Sequence, residues 1–303
     1  MKKYIKIMRF DHWIKQLFIL PGFICLIFLG KYKITNKIII KLILALFATS
    51  LIASSNYIIN EYLDSKTDKY HPIKKQRTLV NDNINKYIIW ILWFTLAIIG
   101  LLVGKTFINK KFVLLEIILL LLGFLYNVKP FRTKDIFILD VLSESANNAI
   151  RLLLGFNIIK NNIIPPISLV FGYWMCGAFL MTIKRYSEYL MINDKKIALN
   201  YRKSFKYYNE KRLLTFSFFY AMSSTFFIGI FLIKYKIELI LLIPFFIILY
   251  CYYFYLSFEK DSVVQKPEKI YKEKTLMLYS IFLIILFMFL MNISIPWLEI
   301  FYK

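Results

Sequence analysis

The sequence predicts an all-α protein, a polytopic membrane helix bundle of about nine transmembrane helices. Of its 303 residues, 59% are hydrophobic and only 19% are charged, and the mean hydropathy is +0.59. That composition is too apolar for a single soluble core. Apolar runs near the length of a bilayer crossing also recur along the whole chain. The solvent of this chain is therefore expected to be a lipid bilayer.

The candidate spans are apolar runs of about the length that crosses a bilayer. They fall at about 16–30, 38–60, 87–104, 112–128, 139–158, 165–183, 213–233, 237–257 and 275–298. The fifth is unusual because Asp140, Glu144 and Arg151 lie inside it. We predict one domain, residues 1–303, because no linker or repeat divides the chain.

The net charge of +22 could indicate a nucleic-acid partner, but most Lys and Arg residues lie between the apolar runs. Basic connections are the usual signal of membrane orientation. We therefore expect no nucleic-acid partner. With nine spans, the charge bias predicts a cytoplasmic N-terminus and a C-terminus on the other side. The long polar connections at about 61–86 and 184–212 then lie in the cytoplasm.

An acidic segment follows the second span. Asn60, Asp64 and Asp68 recur at four-residue steps, so a continuing helix places them on one face, and Pro72 limits how far it extends. Carboxylate and amide oxygens suit Mg²⁺, whose coordination a substrate phosphate completes. The alternative is a solvated loop of mixed charge.

Three basic residues follow this segment. His71, Lys74 and Arg77 lie at three-residue intervals and can bind the phosphates of a metal-bound substrate. Their regular spacing favours a binding site over a solvated loop.

The fifth span carries a polar stripe of Asp140, Glu144, Asn147 or Asn148, and Arg151. Three ionised groups facing lipid would cost on the order of 9 kcal/mol, so the stripe is expected to face the bundle interior or water. The alternative is a structural ion pair between Arg151 and Glu144. Upstream, Tyr126 and Lys134 belong to a short basic loop that could equally be a membrane anchor.

A third polar group, Lys184, Arg185 and Glu188, lies at the inner end of the sixth span. Helical spacing lets Glu188 orient either cation. Further along, Arg202, Lys203 and Lys206 are expected to lie on the anionic membrane surface. Near the N-terminus, aromatic and basic residues of this kind usually anchor a helix at the interface, here Arg9, Trp13 and Lys15.

In this order the motifs resemble the UbiA superfamily of intramembrane prenyltransferases. The resemblance rests on Arg9-x-x-x-Trp13-x-Lys15, on Asn60-x-x-x-Asp64-x-x-x-Asp68-x-x-His71-Pro72-x-Lys74-x-x-Arg77, and on Tyr126 and Lys134. It implies nine helices around a cytoplasm-facing cavity, Mg²⁺, and a donor that carries a diphosphate. It also implies a bacterial cytoplasmic membrane as the location.

Within the superfamily, three segments look like the decaprenyl-phosphate phosphoribosyltransferase branch. They are Lys184-Arg185-Tyr186-x-Glu188, Arg202-Lys203-Ser204-x-x-x-Tyr208 and Pro267-Glu268. That branch moves 5-phosphoribose from phosphoribosyl diphosphate to a polyprenyl phosphate, towards cell-envelope glycans. The sequence departs from the branch at Glu61, at Thr78 and in the loop 129–132, which looks more like that of prenyl-transferring members.

The resemblance implies roles for individual residues. Asn60, Asp64 and Asp68 would hold Mg²⁺, and Asp64, Asp68 and Lys134 would be catalytic. The predicted substrate-binding residues are Lys15, His71, Lys74, Arg77, Tyr126, Asp140, Arg151, Lys184, Arg185 and Glu188. Besides membrane lipids, the expected partners are the two substrates, and self-association is compatible with this sequence.

Two other functions stay open at this point. The nearest is transfer of a prenyl group from a prenyl diphosphate to an aromatic or other lipid-soluble acceptor. A secondary transporter ranks lower, because paired helices interrupted by Gly or Pro are not evident.

Overall fold

A computed structural model describes residues 2–81, 85–192, 194–259, 263–265 and 267–298. Within these ranges the regular structure is helical and contains no strand. The prediction of an all-α fold is confirmed. The α-helices are α1 (Lys2–Ile7), α2 (Leu20–Gly30), α3 (Asn36–Asp68), α4 (Thr78–Asn81), α5 (Lys86–Val103), α6 (Lys110–Asn127), α7 (Leu139–Phe156), α8 (Ile167–Ile192), α9 (Lys195–Tyr201), α10 (Glu210–Tyr235), α11 (Ile243–Leu256) and α12 (Lys274–Asn292).

Seven helical segments of the described chain are long and apolar enough to cross a membrane. They are Lys3–Gly30, Asn36–Asp68, Lys86–Ile108, Ile167–Ile192, Glu210–Tyr235, Ile237–Leu256 and Lys274–Asn292. The predicted spans at 112–128 and 139–158 correspond to α6 and α7, which each carry three charged residues. The count of about nine spans therefore stays a prediction.

The chain forms two compact units. The first contains Met1–Pro165 and Met191–Asn209, and the second contains Pro166–Leu190 and Glu210–Lys303. The single domain stays a prediction. The polar connection before α10 belongs largely to the first unit, where it packs beside the acidic motif.

In the first unit, α3 packs against α5 and α6, and α2 packs against α7. Small residues let α2 and α7 approach closely. A Cβ atom at Gly22 would lie 1.8 Å from the Leu152 carbonyl oxygen, and one at Gly155 would lie 2.0 Å from that of Ile19. These glycines fix the register between the N-terminal segment and the polar stripe of α7.

In the second unit, α10, α11 and α12 share an apolar core, and α8 packs against α10. Ser224 of α10 donates a hydrogen bond to the Gly172 carbonyl of α8 at 2.7 Å, and its oxygen is also 2.7 Å from the Tyr250 hydroxyl. Leu232, Leu242 and Leu290 belong to the apolar core.

Candidate functional site

The acidic motif lies on the last turns of α3, as the spacing predicts. The helix continues to Asp68 and ends four residues before Pro72. Asn60 donates hydrogen bonds to Asp64 Oδ2 at 3.1 Å and to Asn127 Oδ1 of α6 at 2.6 Å. Asp64 and Asp68 are both largely buried. The three residues thus form one polar stripe at the C-terminal end of α3.

Three cations from two segments surround this stripe. Lys134 donates to Asp64 Oδ1 and, at 2.8 Å, to Asn127 Oδ1. Arg132 donates to the same Asp64 oxygen at 2.9 Å, and Arg77 donates to Asp68 Oδ2 at 2.6 Å. Both carboxylates therefore have cationic partners in this structure.

The pKa values of Lys134 and Arg77 shift in opposite directions. Burial lowers the pKa of Lys134 to about 8, although the charge of Asp64 opposes that shift. Burial also acts to lower the pKa of Arg77, but the charge and hydrogen bond of Asp68 together with the charges of Tyr201 and Glu61 outweigh it and raise that pKa. The protein therefore stabilises the charged form of Lys134 less than it stabilises the charged form of Arg77.

A strained loop positions Lys134. Arg132 and Ile138 have positive φ angles of 27° and 67°, which side chains with a Cβ atom rarely adopt. Arg132 also binds Asp135 Oδ2 at 3.0 Å. Strain of this kind persists only where surrounding contacts hold it, and it often occurs at functional sites. Here it directs two cations of the loop onto Asp64.

The residues after the acidic motif form a compact turn. The backbone N–H groups of Ile73 and Lys74 donate to His71 Nδ1 at 3.1 and 3.2 Å. The His71 ring packs edge-on against Tyr201, with 4.7 Å between ring centroids, and Lys74 Nζ donates to the Tyr201 hydroxyl. In this structure His71 shapes the turn that presents Lys74.

The segment 194–208 covers the same region, and Arg202 departs from the membrane-surface role expected of it. Its Nη1 donates to the Tyr126 hydroxyl at 3.2 Å, and that hydroxyl donates to Glu144 Oε2 at 2.6 Å. Arg202 Nη1 also lies 3.8 Å from Asp140 Oδ2. Expecting a surface helix from the basic residues alone was wrong for Arg202, because burial depends on contacts distant in sequence.

Asp140 anchors this segment. It is fully buried and accepts hydrogen bonds from the Tyr208 hydroxyl at 2.6 Å and from Ser204 Oγ at 3.1 Å. These contacts give Asp140 a positioning role in the structure. Its direct contact with substrate stays a prediction.

Arg151 lies further along the α7 stripe and does not form the alternative ion pair with Glu144. Its Nε donates to Gln16 Oε1 at 2.9 Å and its Nη1 donates to Asn148 Oδ1 at 3.1 Å. Lys15, next to Gln16, instead lies with its Nζ 2.9 Å from His12 Nδ1 and 6.0 Å from the ring centroid of Tyr57.

Lys184, Arg185 and Glu188 lie on α8 in the second unit. Arg185 Nη1 donates to Glu188 Oε2 at 2.9 Å, and both side chains are almost fully buried. The predicted orientation of a cation by Glu188 is observed for Arg185. Tyr186 lies between Arg185 and Glu188 in the sequence, and its hydroxyl donates a hydrogen bond to Glu210 Oε1 at 3.1 Å.

The donor set of the acidic stripe fits a magnesium ion. Among the described residues no group of three or more His, Cys, Asp and Glu side chains is arranged to hold a metal. The stripe instead offers two carboxylates and one amide, from Asp64, Asp68 and Asn60. Mg²⁺ takes few protein oxygens of this kind and keeps sites open for water and phosphate.

Two segments contribute residues that sequence reasoning did not assign to this site. Arg132 reaches Asp64 across 68 positions, and Arg202 reaches Tyr126 across 76 positions. The only available signal was the basic character of each segment, which surface anchors share.

The structure is similar to that of a UbiA homologue from Archaeoglobus fulgidus bound to GPP and Mg²⁺. The TM-score is 0.69 at 19% identity over 93% of this chain and 99% of that one. The same values hold for the homologue bound to DMAPP and Mg²⁺. A digeranylgeranylglyceryl phosphate synthase has a TM-score of 0.59 at 19% identity over 96% of this chain and 94% of that one. No curated protein matches the sequence.

Identities of this size establish a shared fold. The family is identified from the sequence, independently of the structural similarity, because the model of the UbiA prenyltransferase family matches residues 18–282. That range contains the acidic stripe, the strained loop and the segment that covers them. The chain is therefore an integral membrane protein that belongs to the UbiA prenyltransferase family, a family of transferases.

Proposed function

We propose that the protein is a Mg²⁺-dependent transferase that moves 5-phosphoribose from phosphoribosyl diphosphate to a polyprenyl phosphate. The observation that carries the proposal is the convergence of Lys134, Arg132 and Arg77 on the carboxylates of Asp64 and Asp68. An acidic stripe faced by cations suits a metal diphosphate, because the metal binds the carboxylates and the cations bind the phosphates.

Mg²⁺ held by Asn60, Asp64 and Asp68 would neutralise the donor diphosphate as it becomes the leaving group. Lys134 and Arg77, now paired with the carboxylates, would turn to its oxygens. Arg202 and Lys74 would add positive charge from the covering segment and the turn. Preorganised cations of this kind stabilise charge that grows in the transition state.

The reaction is balanced without a strong general base. An oxygen of the lipid phosphate is already anionic at neutral pH and forms a bond to C1 of the ribose. The bond from C1 to the diphosphate oxygen breaks, and diphosphate leaves with the electron pair. Catalysis then depends mainly on positioning and on charge neutralisation.

The nearest alternative is transfer of a prenyl group, and the solved structures with GPP and DMAPP support it. A prenyl diphosphate has one charged end, whereas phosphoribosyl diphosphate carries an additional 5-phosphate. The choice of the more highly charged donor rests on the sequence motif of Lys184, Arg185 and Glu188, which looks like that of the phosphoribosyltransferase branch. The transporter loses its support, because the family is one of transferases.

The test is the Mg²⁺-dependent release of diphosphate by purified protein in detergent. With phosphoribosyl diphosphate and a polyprenyl phosphate together, we expect release that stops when either substrate or Mg²⁺ is omitted. Release with geranyl diphosphate and an aromatic acceptor, but not with the phosphoribosyl pair, would contradict the proposal and establish the alternative.

A further inference from the structure

Arg151 differs in its partners from four other largely enclosed arginines of the described chain. Arg77, Arg132 and Arg185 each bind a carboxylate within 3.0 Å, and Arg202 lies 3.8 Å from one. Arg151 is 9% exposed and bonds only to the neutral amides of Gln16 and Asn148. Among the residues that the structure describes, Arg151 has no anionic partner.

An ionised guanidinium that is buried among neutral groups is unfavourable, because hydration is lost and no opposite charge replaces it. Such groups inside membrane proteins usually mark ligand or ion sites. Arg151 keeps part of its surface exposed, so a ligand can reach its remaining N–H groups.

Gln16 provides a second and independent observation. Its side chain is 1% exposed, and its Oε1 accepts the hydrogen bond from Arg151 Nε. Its Nε2 is buried and has no acceptor among the described residues. A buried donor without an acceptor is costly, and native proteins rarely retain one without a reason. Gln16 and Arg151 thus present unused donors on neighbouring side chains.

The backbone holds these two side chains in a fixed register. Gly22 and Gly155 allow close contact between the N-terminal segment and α7 at Leu152 and Ile19, a short distance C-terminal to each member of the pair. Rigid placement of this kind lowers the entropic cost of binding a ligand. The donors therefore form a built site rather than two chance neighbours.

The donor chemistry identifies the ligand class. A guanidinium fork beside an amide N–H suits an oxyanion such as a phosphate, which accepts several hydrogen bonds at once. Arg151 lies two helical turns beyond Glu144, roughly 10 Å along α7. Glu144 is itself bonded to Tyr126 beside the acidic stripe, so this separation leaves room for a sugar between two phosphate sites.

We propose that Arg151 and Gln16 bind the anionic head group of the acceptor, a phosphate carried by a lipid. This inference rests on the proposed function and deepens it. The acidic stripe takes the diphosphate of the donor, and the Arg151–Gln16 pair takes the phosphate that attacks. The site selects an anionic acceptor over a neutral lipid of the same length.

The test compares three probes on the purified full-length protein in detergent: farnesyl phosphate, farnesol and inorganic phosphate. We expect farnesyl phosphate to bind wild type at least about tenfold more tightly than either other probe. Arg151→Gln should weaken its binding roughly ten- to hundredfold, since hydrogen bonds to a charged group are lost. Arg212→Gln, at an exposed arginine of α10, should leave binding unchanged.

Stability separates a ligand site from a structural role. Because Arg151 has no anionic partner in the described structure, Arg151→Gln should leave the melting temperature unchanged or raise it. Gln16→Glu keeps the oxygen that accepts from Arg151 Nε and replaces the unsatisfied N–H group with a carboxylate oxygen, so it should weaken farnesyl phosphate binding without lowering the melting temperature. Gln16→Glu decides the question if Arg151→Gln does not fold.

Several outcomes would overturn the inference. Farnesyl phosphate affinity within twofold of wild type in either folded variant would remove the pair from acceptor binding. Equal binding of inorganic phosphate would assign the site to a free anion rather than to a lipid. Mg²⁺-dependent binding of inorganic diphosphate is measured in parallel, and its absence from wild type would remove the proposed function while leaving the farnesyl phosphate result intact.

Discussion

Asp64 and Asp68 share one helix face but differ in what their removal would leave behind. Asp64 binds Lys134, which is 3% exposed, and also Arg132. Removing Asp64 would leave a buried lysine without its counter-charge, a change that typically costs about 3–5 kcal/mol. Arg77, the partner of Asp68, is more exposed. Asp68 is therefore the cleaner position for testing the metal site.

We expect Asp68→Asn to lower kcat about a hundredfold or more, because a metal ligand stabilises transition-state charge by several kcal/mol. The protein should remain folded in detergent, as judged by its melting temperature. Glu259→Gln, at an exposed carboxylate outside the first unit, is the matched control and should leave kcat unchanged. Near-normal turnover of Asp68→Asn at limiting Mg²⁺ would remove this residue from the mechanism.

Arg185 needs a paired substitution, because it and Glu188 are buried together. Arg185→Gln alone would leave the Glu188 carboxylate buried and unpaired, which destabilises the fold by about 3–5 kcal/mol. The double variant Arg185→Gln with Glu188→Gln should recover most of the melting temperature. If Arg185 binds a substrate phosphate, kcat/KM of the double variant should stay roughly ten- to hundredfold below wild type. Recovery of both quantities would make the pair purely structural.

At the scale of elements, the segment 194–208 is held on the site by Asp140 of α7. Tyr208 donates to Asp140 at 2.6 Å, and Arg202 then lies between Asp140 and Tyr126. This arrangement places one cation of the segment next to the loop that carries Lys134. Asp140 therefore acts through Arg202, as a positioning residue.

We expect Tyr208→Phe to lower kcat/KM roughly tenfold, because the lost hydrogen bond to a buried carboxylate is worth about 1.5 kcal/mol. Combining it with Arg202→Gln should add little, since both changes act on the same contact. Tyr207→Phe is the matched control, because Tyr207 is an exposed neighbour in the same segment. Full additivity of the two changes would contradict the positioning role.

Local sequence patterns predicted which residues share a helix face better than they predicted which side chains on different helices contact each other. The four-residue spacing of Asn60, Asp64 and Asp68 correctly indicated one helix face, because helical periodicity is a local property. Spacing likewise indicated the Arg185–Glu188 pair. It could not indicate that Glu144 would bind Tyr126 rather than Arg151, because that choice depends on how α6 and α7 pack.

At the scale of the whole molecule, the contacts of the first unit bear on the number of spans. Asp64 lies at the C-terminal end of α3, and the chain then crosses to the opposite side of the membrane through α5. Lys134, which follows α6, nevertheless contacts Asp64, so α6 has to bring the chain back. At the other end of α6 and α7, Asn109 donates to the Asn157 carbonyl at 2.6 Å. Both observations favour two further crossings by α6 and α7. Each of these helices carries three charged residues, which separates them from the seven more uniformly apolar segments.

We predict opposite exposure of the connections before and after α7. In a variant without its native cysteines, Lys129→Cys should react with an impermeant maleimide only from the cytoplasmic side. Lys160→Cys should react only from the other side. Fusions at the two termini cannot distinguish seven spans from nine, because both counts are odd. Labelling of both cysteines from one side would rule out a crossing by α7.

The mass of the lipid product identifies the group that the enzyme transfers. Wild-type protein is given Mg²⁺, farnesyl phosphate, and equal concentrations of phosphoribosyl diphosphate and geranyl diphosphate. We expect a product heavier than farnesyl phosphate by one phosphoribosyl group, formed only when Mg²⁺ is present. A lipid heavier by a geranyl group, or geranyl transfer to an added aromatic acceptor with farnesyl phosphate left unmodified, would contradict it.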